Sequence, residues 1–363
     1  MSEWHECELG DIATLHYGKA LKASERVSGS VPVYSSAGET GSHNKAIVES
    51  KGLIVGRKGT VGKIYMSEKP FWCIDTAYYI LPNDDVYDFR FLFYLLGTLG
   101  FEALNEDSAV PGLNRNTAYK QKLLLPKVEE QKAIVLVLSS LDNKIDLLHR
   151  QSKTLEAMAE TLFRQWFVEG GAEDCPITDL IDFNPTRKLS KGAVAPYLEM
   201  ASLSTTTFSP DSWYDREFSS GTKFINGDTL LARITPCLEN GKTAYVTFLD
   251  DDQVAWGSTE YIVMRPHDKL HPFFGYVLAK NQVFREYAEG CMAGSSGRQR
   301  VDINHLKKFD IGAASSEAIG QFNMLAETVV PKLHANMQQI KTLEKLRDTL
   351  LPKLVSGEVR VQP

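Results

Sequence analysis

A glycine- and lysine-rich segment, Gly56 to Ile64, is the first candidate for chemistry, because its sequence GRKGTVGKI is similar to a phosphate-binding loop. Such a loop needs four residues between its glycines and a Ser or Thr after its lysine, to hold magnesium. Here five residues lie between Gly56 and Gly62, and Ile64 stands where the Ser or Thr should be. The related segment Gly241 to Thr243 has Pro236 where the leading glycine would fall. We therefore predict no nucleotide hydrolysis at either place.

Two further catalytic patterns are incomplete. Adenine methyltransferases use an Asn-Pro-Pro-aromatic motif to hold the amino group, and at the segment Phe183 to Thr186 the last two positions of that motif are not matched. Nucleases use clustered carboxylates and a lysine around a metal ion. Glu49 to Lys51 and Glu130 to Lys132 have the Glu-x-Lys spacing but no upstream Pro-Asp, so we interpret them as solvated charges. The histidines show no paired metal-ligand spacing, and we predict neither catalytic nor metal-binding residues.

Basic and amide side chains recur in loops of both halves of the chain. Arg and Lys can hold phosphates or guanine edges, and Asn and Gln can pair with adenine. One such cluster is usually a solvated surface, but we align Asn114 to Asn116 with Arg300 to Asp302, and recurrence at equivalent places favours DNA contact. The predicted DNA-binding residues are Arg57, Lys58, Lys63, Asn114, Arg115, Asn116, Arg233, Lys242, Arg298, Gln299 and Arg300.

An internal repeat organises the elements that must position these residues. The sequence KTLE occurs at Lys153 to Glu156 and again at Lys341 to Glu344, 188 residues later (341 minus 153). Fainter matches align Leu53 to Arg57 with Thr229 to Arg233, and Thr76 to Tyr78 with Thr259 to Tyr261. A repeat of this length predicts two similar domains, one in each half.

Both copies of KTLE lie in heptad stripes, which predict two long helices that pair through one apolar face. We place the first from about Glu129 to Val168 and the second from Ser315 or Ser316 to about Val355, with Gly357 as a stop signal. We expect Pro331 to kink or split the second helix. An ordinary core helix is the alternative for each stripe. The predicted helix-pairing residues are Leu141, Ile145, Leu148, Leu155, Leu162, Val329, Leu333, Ile340, Leu343 and Leu350.

Composition restricts the class of protein. The net charge of −6 argues against indiscriminate coating of nucleic acid, although it allows a local basic surface. The five cysteines have no CxxC pair, so we expect reduced thiols in the cytoplasm. The N-terminus does not have the pattern of a signal peptide, and the apolar stretch Phe89 to Phe101 is too short to span a membrane.

The predicted fold class is α+β. We expect two similar mixed α/β globular domains joined by two long antiparallel helices, with an internal pseudo-twofold repeat. The predicted bounds are 1–127 for the first domain, 128–169 for the first helix, 170–312 for the second domain and 313–363 for the second helix. We place the boundary between the halves in the stretch Gly170 to Asp174.

These features together resemble one family, the specificity subunits of Type I restriction-modification systems. The resemblance is carried by Pro126 followed by Glu130-Gln131, by Leu141 to Ile145 and Leu53 to Gly59, and by the closing stretch Leu350 to Gly357. It covers essentially the whole chain, including the repeat. The start of the second long helix departs from the pattern, because it lacks the Pro and Glu-Gln of the first.

The resemblance implies that the two globular domains are target recognition domains, each of which reads one half of a split double-stranded DNA sequence. It implies that the helices set the gap and that the subunit has neither catalysis nor a cofactor of its own. It also implies docking of two methylase subunits, which bring S-adenosylmethionine, and of two ATP-driven restriction subunits in the full enzyme. Because of the departure in the second helix, the two methylase docking surfaces are expected to be unequal.

Two other classes of function stay open at this stage. One is a non-catalytic scaffold in which two peptide-binding domains sit on a coiled-coil spacer. The other is an enzyme whose motif differs from those considered above. Neighbouring genes for an adenine methylase and a large helicase-nuclease would distinguish the restriction-modification reading from the first, and methyl transfer or DNA cleavage by the pure chain would reveal the second.

Overall fold

The computed structural model describes residues 4–104, 112–170, 173–295, 297–313 and 315–361. The chain divides into two compact units. Unit 1 comprises Met1–Lys144 and Leu343–Pro363, and unit 2 comprises Ile145–Thr342. Of the boundary predicted from Gly170 to Asp174, Gly171 and Ala172 lie outside the described residues.

The described residues form short strands and helices in two groups, each followed by a long helix. The α-helices are α1 (Leu9–Ile12), α2 (Phe89–Gly97), α3 (Arg115–Tyr119), α4 (Val128–Phe163), α5 (Phe273–Lys280), α6 (Gln282–Gly290), α7 (Ile303–Leu306) and α8 (Ser316–Val355). The strands of unit 1 are β1 (His5–Glu8), β2 (His16–Tyr17), β3 (Val31–Ser35), β4 (Gly38–His43), β5 (Gly52–Gly56), β6 (Ile64–Ser67), β7 (Trp72–Cys73), β8 (Ala77–Ile80) and β9 (Lys122–Leu125). Those of unit 2 are β10 (Asp174–Pro176), β11 (Ile181–Phe183), β12 (Val194–Leu198), β13 (Tyr214–Glu217), β14 (Thr222–Phe224), β15 (Thr229–Ala232), β16 (Thr243–Tyr245), β17 (Ala255–Gly257), β18 (Tyr261–Pro266), β19 (Met292–Ala293), β20 (Arg300–Val301) and β21 (Asp310–Gly312).

The globular part of unit 1, from β1 to β9, is called domain 1 below. Its four-stranded antiparallel sheet has the order β2-β8-β5-β6, and a second sheet has the order β4-β3-β7. Strand β5 is buried along its whole length, as its continuous GLIVG sequence predicts for a central strand. Strands β1 and β9 pair separately and bring the two ends of the domain together.

Domain 2, from β10 to β21, repeats this plan. Its four-stranded sheet has the order β11-β18-β15-β16, its second sheet β13-β12-β17-β14, and its ends pair through β10 and β21. In both domains one pair in the second sheet is parallel, β3 with β7 and β12 with β17. The predicted fold class, with similar mixed α/β domains and long helices, is confirmed.

The strand pairing corrects one of the fainter alignments. Gly56, at the end of β5, pairs with Ala77, and Ala232, at the end of β15, pairs with Tyr261. Ala77 is therefore equivalent to Tyr261, one residue away from the alignment predicted from sequence. The alignment had followed the Thr and Tyr residues that the two segments share, whereas backbone pairing shows which positions are equivalent.

The segment Pro272 to Tyr287 follows the last strand of the four-stranded sheet of domain 2. It forms two helices, α5 and α6, because the backbone of Asn281 is extended between them. The Asn281 side chain accepts hydrogen bonds from the N–H groups of Val283 and Phe284 and so caps α6.

In unit 1 the beginning of α4 packs against the end of α8. Ile134 and Leu138 lie in the same buried cluster as Leu354 and Val355, and Asp142 accepts a 3.0 Å hydrogen bond from Arg347. Positions that advance along α4 therefore meet positions that recede along α8, which is an antiparallel arrangement within this unit.

In unit 2 the end of α4 packs against the beginning of α8, again antiparallel. Phe163 shares a cluster with Phe322, and the amide of Asn336 donates to the hydroxyl of Ser152 at 3.1 Å. The predicted seam moves by one residue at the end of α4, where Phe163 is fully buried and Leu162 is only half-buried. A straight α-helix drifts relative to a strict heptad repeat, and this helix ends in a π-helical turn.

The remaining residues of the predicted helix-pairing set differ in burial. Ile145, Leu148, Val329, Leu333 and Ile340 are buried. Leu141, Leu155, Leu343 and Leu350 are half-buried.

Helix α8 is continuous from Ser316 to Val355, so the split expected at Pro331 does not occur. The buried neighbours Val329 and Leu333 hold this stretch in the core, which offsets the hydrogen bond that the proline removes. Ser315 caps the helix by accepting a hydrogen bond from the N–H of Ala318. Gly357, just past its end, has the left-handed φ of 76° that suits a stop position.

The start of α4 corrects the interpretation of Glu130 as a solvated charge. Glu130 is only 4% exposed and accepts hydrogen bonds from Arg360, at 2.6 and 2.9 Å, and from the indole of Trp4 at 3.2 Å. The fully buried Gln131 accepts from the N–H of Asp88 at 2.7 Å and donates to the carbonyl of Pro126. The Glu-Gln motif is therefore part of the core of unit 1.

Within the described residues, no helix is both long and apolar enough to cross a membrane.

Candidate nucleic-acid interface

In domain 1 the backbone brings two predicted clusters together. The N–H groups of Arg57 and Lys58, which follow β5, both donate to the carbonyl of Thr76 at 3.0 Å. The N–H of Leu113 donates to the carbonyl of Arg57 at 2.8 Å, which fastens the segment before α3 beside them. A cavity of about 340 Å³ results, lined by Tyr17, Arg57, Lys58, Tyr78, Gly112, Leu113, Asn114, Arg115 and Asn116. Residues more than 50 positions apart in sequence thus share one polar concavity.

Tyr17 organises the cations of this cavity. The guanidinium groups of Arg57 and Arg115 lie 4.9 and 5.0 Å from the centre of its ring, which is the range of a cation–π contact. Arg57 also donates to the carbonyl of Asp75. Sequence reasoning missed Tyr17, because nothing near it in the chain indicates that two distant arginines meet at its ring.

Other predicted residues of domain 1 have structural duties or lie elsewhere. The Asn114 side chain caps α3 by accepting hydrogen bonds from the N–H groups of Asn116 and Thr117, so only its amide N–H groups remain to donate outward. Lys63 lies 3.6 Å from Glu102 and does not line the cavity.

Domain 2 repeats the backbone frame. The N–H of Arg233 donates to the carbonyl of Glu260 at 3.0 Å, and the N–H of Val301 donates to the carbonyl of Arg233 at 2.9 Å. Val301 is therefore equivalent to Leu113, and Asp302, which caps α7, is equivalent to Asn114. The predicted alignment of Asn114 with Arg300 is wrong by two residues.

The cations of domain 2 are more strongly engaged than those of domain 1. Arg300 makes an ion pair with Glu260 at 2.7 Å. Lys242 donates to the carbonyl of Met200 at 2.9 Å, and Arg233 donates to the carbonyl of Val301 at 3.2 Å. Arg298 is exposed and Gln299 half-buried in the loop that leads to Arg300. The same backbone frame thus presents different chemistry in the two domains.

Among the described residues, no group of three or more His, Cys, Asp or Glu side chains could hold a metal ion.

Comparison with known proteins agrees with this arrangement. Residues 1–157 match the family described as Type I restriction modification DNA specificity domain. The specificity subunit of the Type I restriction enzyme MjaIX from Methanocaldococcus jannaschii is 23% identical, over 99% of this chain and 94% of the relative. The HindI specificity subunit from Haemophilus influenzae is 22% identical, over 79% of this chain and 81% of the relative. The chain is thus similar, over almost its whole length, to specificity subunits of Type I restriction enzymes.

A solved structure shares the fold of this chain. The Type-I restriction-modification system S subunit from M. genitalium superposes with a TM-score of 0.60 at 15% identity and covers 97% of this chain and 96% of its own. The family resemblance and the role in DNA sequence recognition, both predicted from the sequence, are confirmed. The DNA-binding residues and the domain bounds stay predictions.

Proposed function

We propose that each globular domain of this specificity subunit reads one half of a bipartite DNA target. The observation that carries the proposal is the shared backbone frame around Arg57 and Arg233, which holds different side chains at equivalent positions. One scaffold with two chemistries suits a target whose halves differ in sequence. Dimeric DNA readers use two related readers at spaced half-sites in the same way.

In domain 1 the cavity beside Tyr17 holds Arg57, Lys58 and Arg115, and no carboxylate is present among the described residues that line it. Guanidinium groups placed in this way can hold a backbone phosphate or the edge of a guanine. In domain 2 the exposed Arg298 and Arg300 lie in the corresponding loop, and Arg300 is paired with Glu260. We propose that these groups contact DNA in the respective half-sites.

Alanine substitution tests these contacts. Seven of the eight predicted DNA-binding cations, all but Lys58, are replaced together, and in this seven-fold alanine variant the affinity for the target and the salt dependence of binding should both fall. The matched control is Arg164→Ala, because Arg164 is an exposed cation outside the predicted set, paired with Glu169. Unchanged binding by the seven-fold variant would refute the assignment. The seven are Arg57, Lys63, Arg115, Arg233, Lys242, Arg298 and Arg300.

We also propose that α4 and α8 set the unread gap between the half-sites. Inserting one heptad into both helices keeps the apolar seam in phase and adds about 10 Å of helix. The gap should then grow by about three base pairs, at 3.4 Å per pair, while both half-sites keep their sequences. The readout is the position of methylated adenines after co-expression with the methylase partner. An unchanged gap would overturn this part of the proposal, and a heptad in one helix only should abolish specific methylation.

We propose two methylase subunits and two restriction subunits as the protein partners, in the cytoplasm, with the chain itself non-catalytic. The pure chain should bind the target without methylating or cutting it, and methyl transfer from S-adenosylmethionine should appear only when the methylase is added. Transfer by the pure chain at the rate of the complex would contradict the non-catalytic role.

A further inference from the structure

A carboxylate occupies the predicted DNA-contact surface of domain 2, where phosphates would repel it. Glu260 precedes β18, and its backbone carbonyl accepts from the N–H of Arg233. Its own N–H donates to the hydroxyl of Ser258 at 3.1 Å. The position of Glu260 is therefore fixed by the same backbone frame that holds the predicted contact residues.

The carboxylate of Glu260 accepts hydrogen bonds from one edge of the Arg300 guanidinium group. Nε of Arg300 lies 2.9 Å from each carboxylate oxygen, and Nη2 lies 2.7 Å from Oε1. This grip uses the Nε–H and one Nη2–H, while Nη1 takes no part in the ion pair. A guanidinium has five N–H donors, so the end formed by Nη1 and the second Nη2–H stays suited to a bidentate partner.

The exposures of the two side chains give the pair a direction. The Glu260 side chain is 21% exposed and that of Arg300 45% exposed, so the carboxylate lies deeper and the guanidinium lies outward. A bidentate Arg contact to O6 and N7 is the commonest specific contact with guanine. Because the ion pair already holds the guanidinium group of Arg300 in one orientation, this side chain loses less conformational entropy when it binds DNA.

Domain 1 cannot form the same pair. Strand pairing makes Thr76 the equivalent of Glu260, and Gly112 the equivalent of Arg300. Threonine has no carboxylate, and glycine has no side chain. Any effect of the pair on base preference should therefore be confined to one half-site.

We infer that Glu260 is a positioning residue that orients Arg300 to read a guanine in the half-site of domain 2. The inference rests on the proposed function and extends it to one base. A purely structural ion pair at this exposure would add little to stability and nothing to base preference.

The test uses the full chain in complex with its methylase partner, and selection from a DNA library with randomised half-sites. The wild-type complex should select guanine at one or more positions of the domain 2 half-site. Glu260→Gln keeps the size of the side chain and removes its charge, and should lower the preference for guanine at one position roughly tenfold. Arg300→Lys keeps the charge but loses the fork, and should lower the same preference.

Two comparisons separate orientation from charge. Arg298→Ala, in the same loop, should weaken binding to all sequences alike. The double variant Glu260→Gln, Arg300→Lys should select the same bases as Arg300→Lys alone, because Glu260 can affect base preference only while the guanidinium group of Arg300 is present. Thermal unfolding checks that each variant is folded.

An unchanged preference in Glu260→Gln, a change in the half-site of domain 1, or no guanine in the wild-type half-site of domain 2 would overturn the inference and leave the proposed function standing. Failure of the wild-type complex to select any half-site would instead refute the proposed function, and the inference with it.

Discussion

Arg360 donates two hydrogen bonds to the carboxylate of Glu130, at 2.6 and 2.9 Å, and so joins the C-terminal segment to the first turn of α4. The guanidinium also lies 5.1 Å from the centre of the Trp4 ring, and the Trp4 indole donates to the same carboxylate. Trp4 and Arg360 thus meet at one buried acid in unit 1.

Arg360→Ala should destabilise unit 1 substantially. Removing one partner of a buried pair leaves an uncompensated charge, and because Arg360 is partly exposed we expect the lower end of the range, about 3 kcal/mol. Chemical denaturation followed by tryptophan fluorescence would measure the change. The control is Glu358→Gln, whose exposed pair with Lys353 should contribute less than about 1 kcal/mol. Equal effects of the two variants would show that the Arg360–Glu130 pair does not stabilise unit 1 more than an exposed pair does.

A second prediction concerns Gln131 and Asn323, which perform the same task in different units. Gln131 accepts from the N–H of Asp88, before α2, and Asn323 accepts from the N–H of His271, before α5, both at 2.7 Å. Each side chain also donates to a backbone carbonyl. Gln131→Ala should cost about 2 kcal/mol, because Gln131 is fully buried and its loss leaves buried backbone groups unsatisfied. Asn323→Ala should cost less, about 1 kcal/mol, because Asn323 is half-buried and water can replace its exposed bond to Lys269.

Hydrogen exchange at the amides of α2 and α5 would localise these effects. Gln131→Ala should loosen α2 alone, and Asn323→Ala should loosen α5 alone. A loss of protection in unit 1 without a matching loss in unit 2 would show that Asn323 does not replace Gln131.

The positions of these two residues explain what could be predicted from sequence. The helices and central strands were predictable, since heptad stripes and the GLIVG run are local patterns. The role of Asn323 was not predictable. Asn323 lies one turn further into α8 than Gln131 lies into α4, and the start of α8 has no Glu-Gln motif to mark it. The burial of Glu130 was also hidden, since its partner lies 230 positions away.

The candidate site shows the same division between local and distant information. Arg57 and Arg115 were found from their residue type and spacing, and they line one cavity. Tyr17 and Glu260 were missed, because their significance depends on strand pairing that brings distant segments together. The alignment of Asn114 with Arg300 was wrong for the same reason. What the two domains share at this place is a helix cap, Asn114 in one and Asp302 in the other, and the sequence match of Arg and Asn residues did not reveal it.

Asn336 should limit the stability of the helix pair while fixing its register. Its side chain is fully buried, its amide donates to Ser152, and its Oδ1 is buried without a partner among the described residues. The double variant Asn336→Leu, Ser152→Ala should stabilise unit 2 by about 1 kcal/mol, because it removes an unsatisfied acceptor. Denaturant midpoints would measure the gain. Destabilisation by a similar amount would show that the polar contact contributes more than it costs.

Glu156 should make the stability of unit 2 fall as pH rises. Burial raises the pKa of this carboxyl, although the Tyr276 hydroxyl, which donates to it at 2.7 Å, and the nearby Lys280 lower it, and Glu160 raises it. A raised pKa in the folded state favours the protonated form. Its contribution is therefore complete below the unfolded value, about 4.3, and is lost as pH rises through the folded pKa.

Glu156→Gln keeps an acceptor for Tyr276 and cannot ionise. The free energy of unfolding of the natural chain, minus that of this variant, should decrease between pH 4 and pH 8. Glu358→Gln, at an exposed position in unit 1, serves as the comparison for general charge effects. A difference that rises with pH would mean that the folded state favours the ionised carboxylate.

Tyr17 should control the affinity of domain 1 for its half-site. Tyr17→Ala removes the ring beside both Arg57 and Arg115, and each cation–π contact at an exposed site contributes about 0.5–1 kcal/mol. The affinity should fall roughly 5- to 30-fold, since 1.4 kcal/mol corresponds to a factor of ten. Tyr17→Phe keeps the ring and should bind almost as the natural chain does. Binding titrations on duplexes with one half-site randomised would place the loss in the half-site of domain 1, and an equal loss in Tyr17→Phe would point to the hydroxyl instead of the ring.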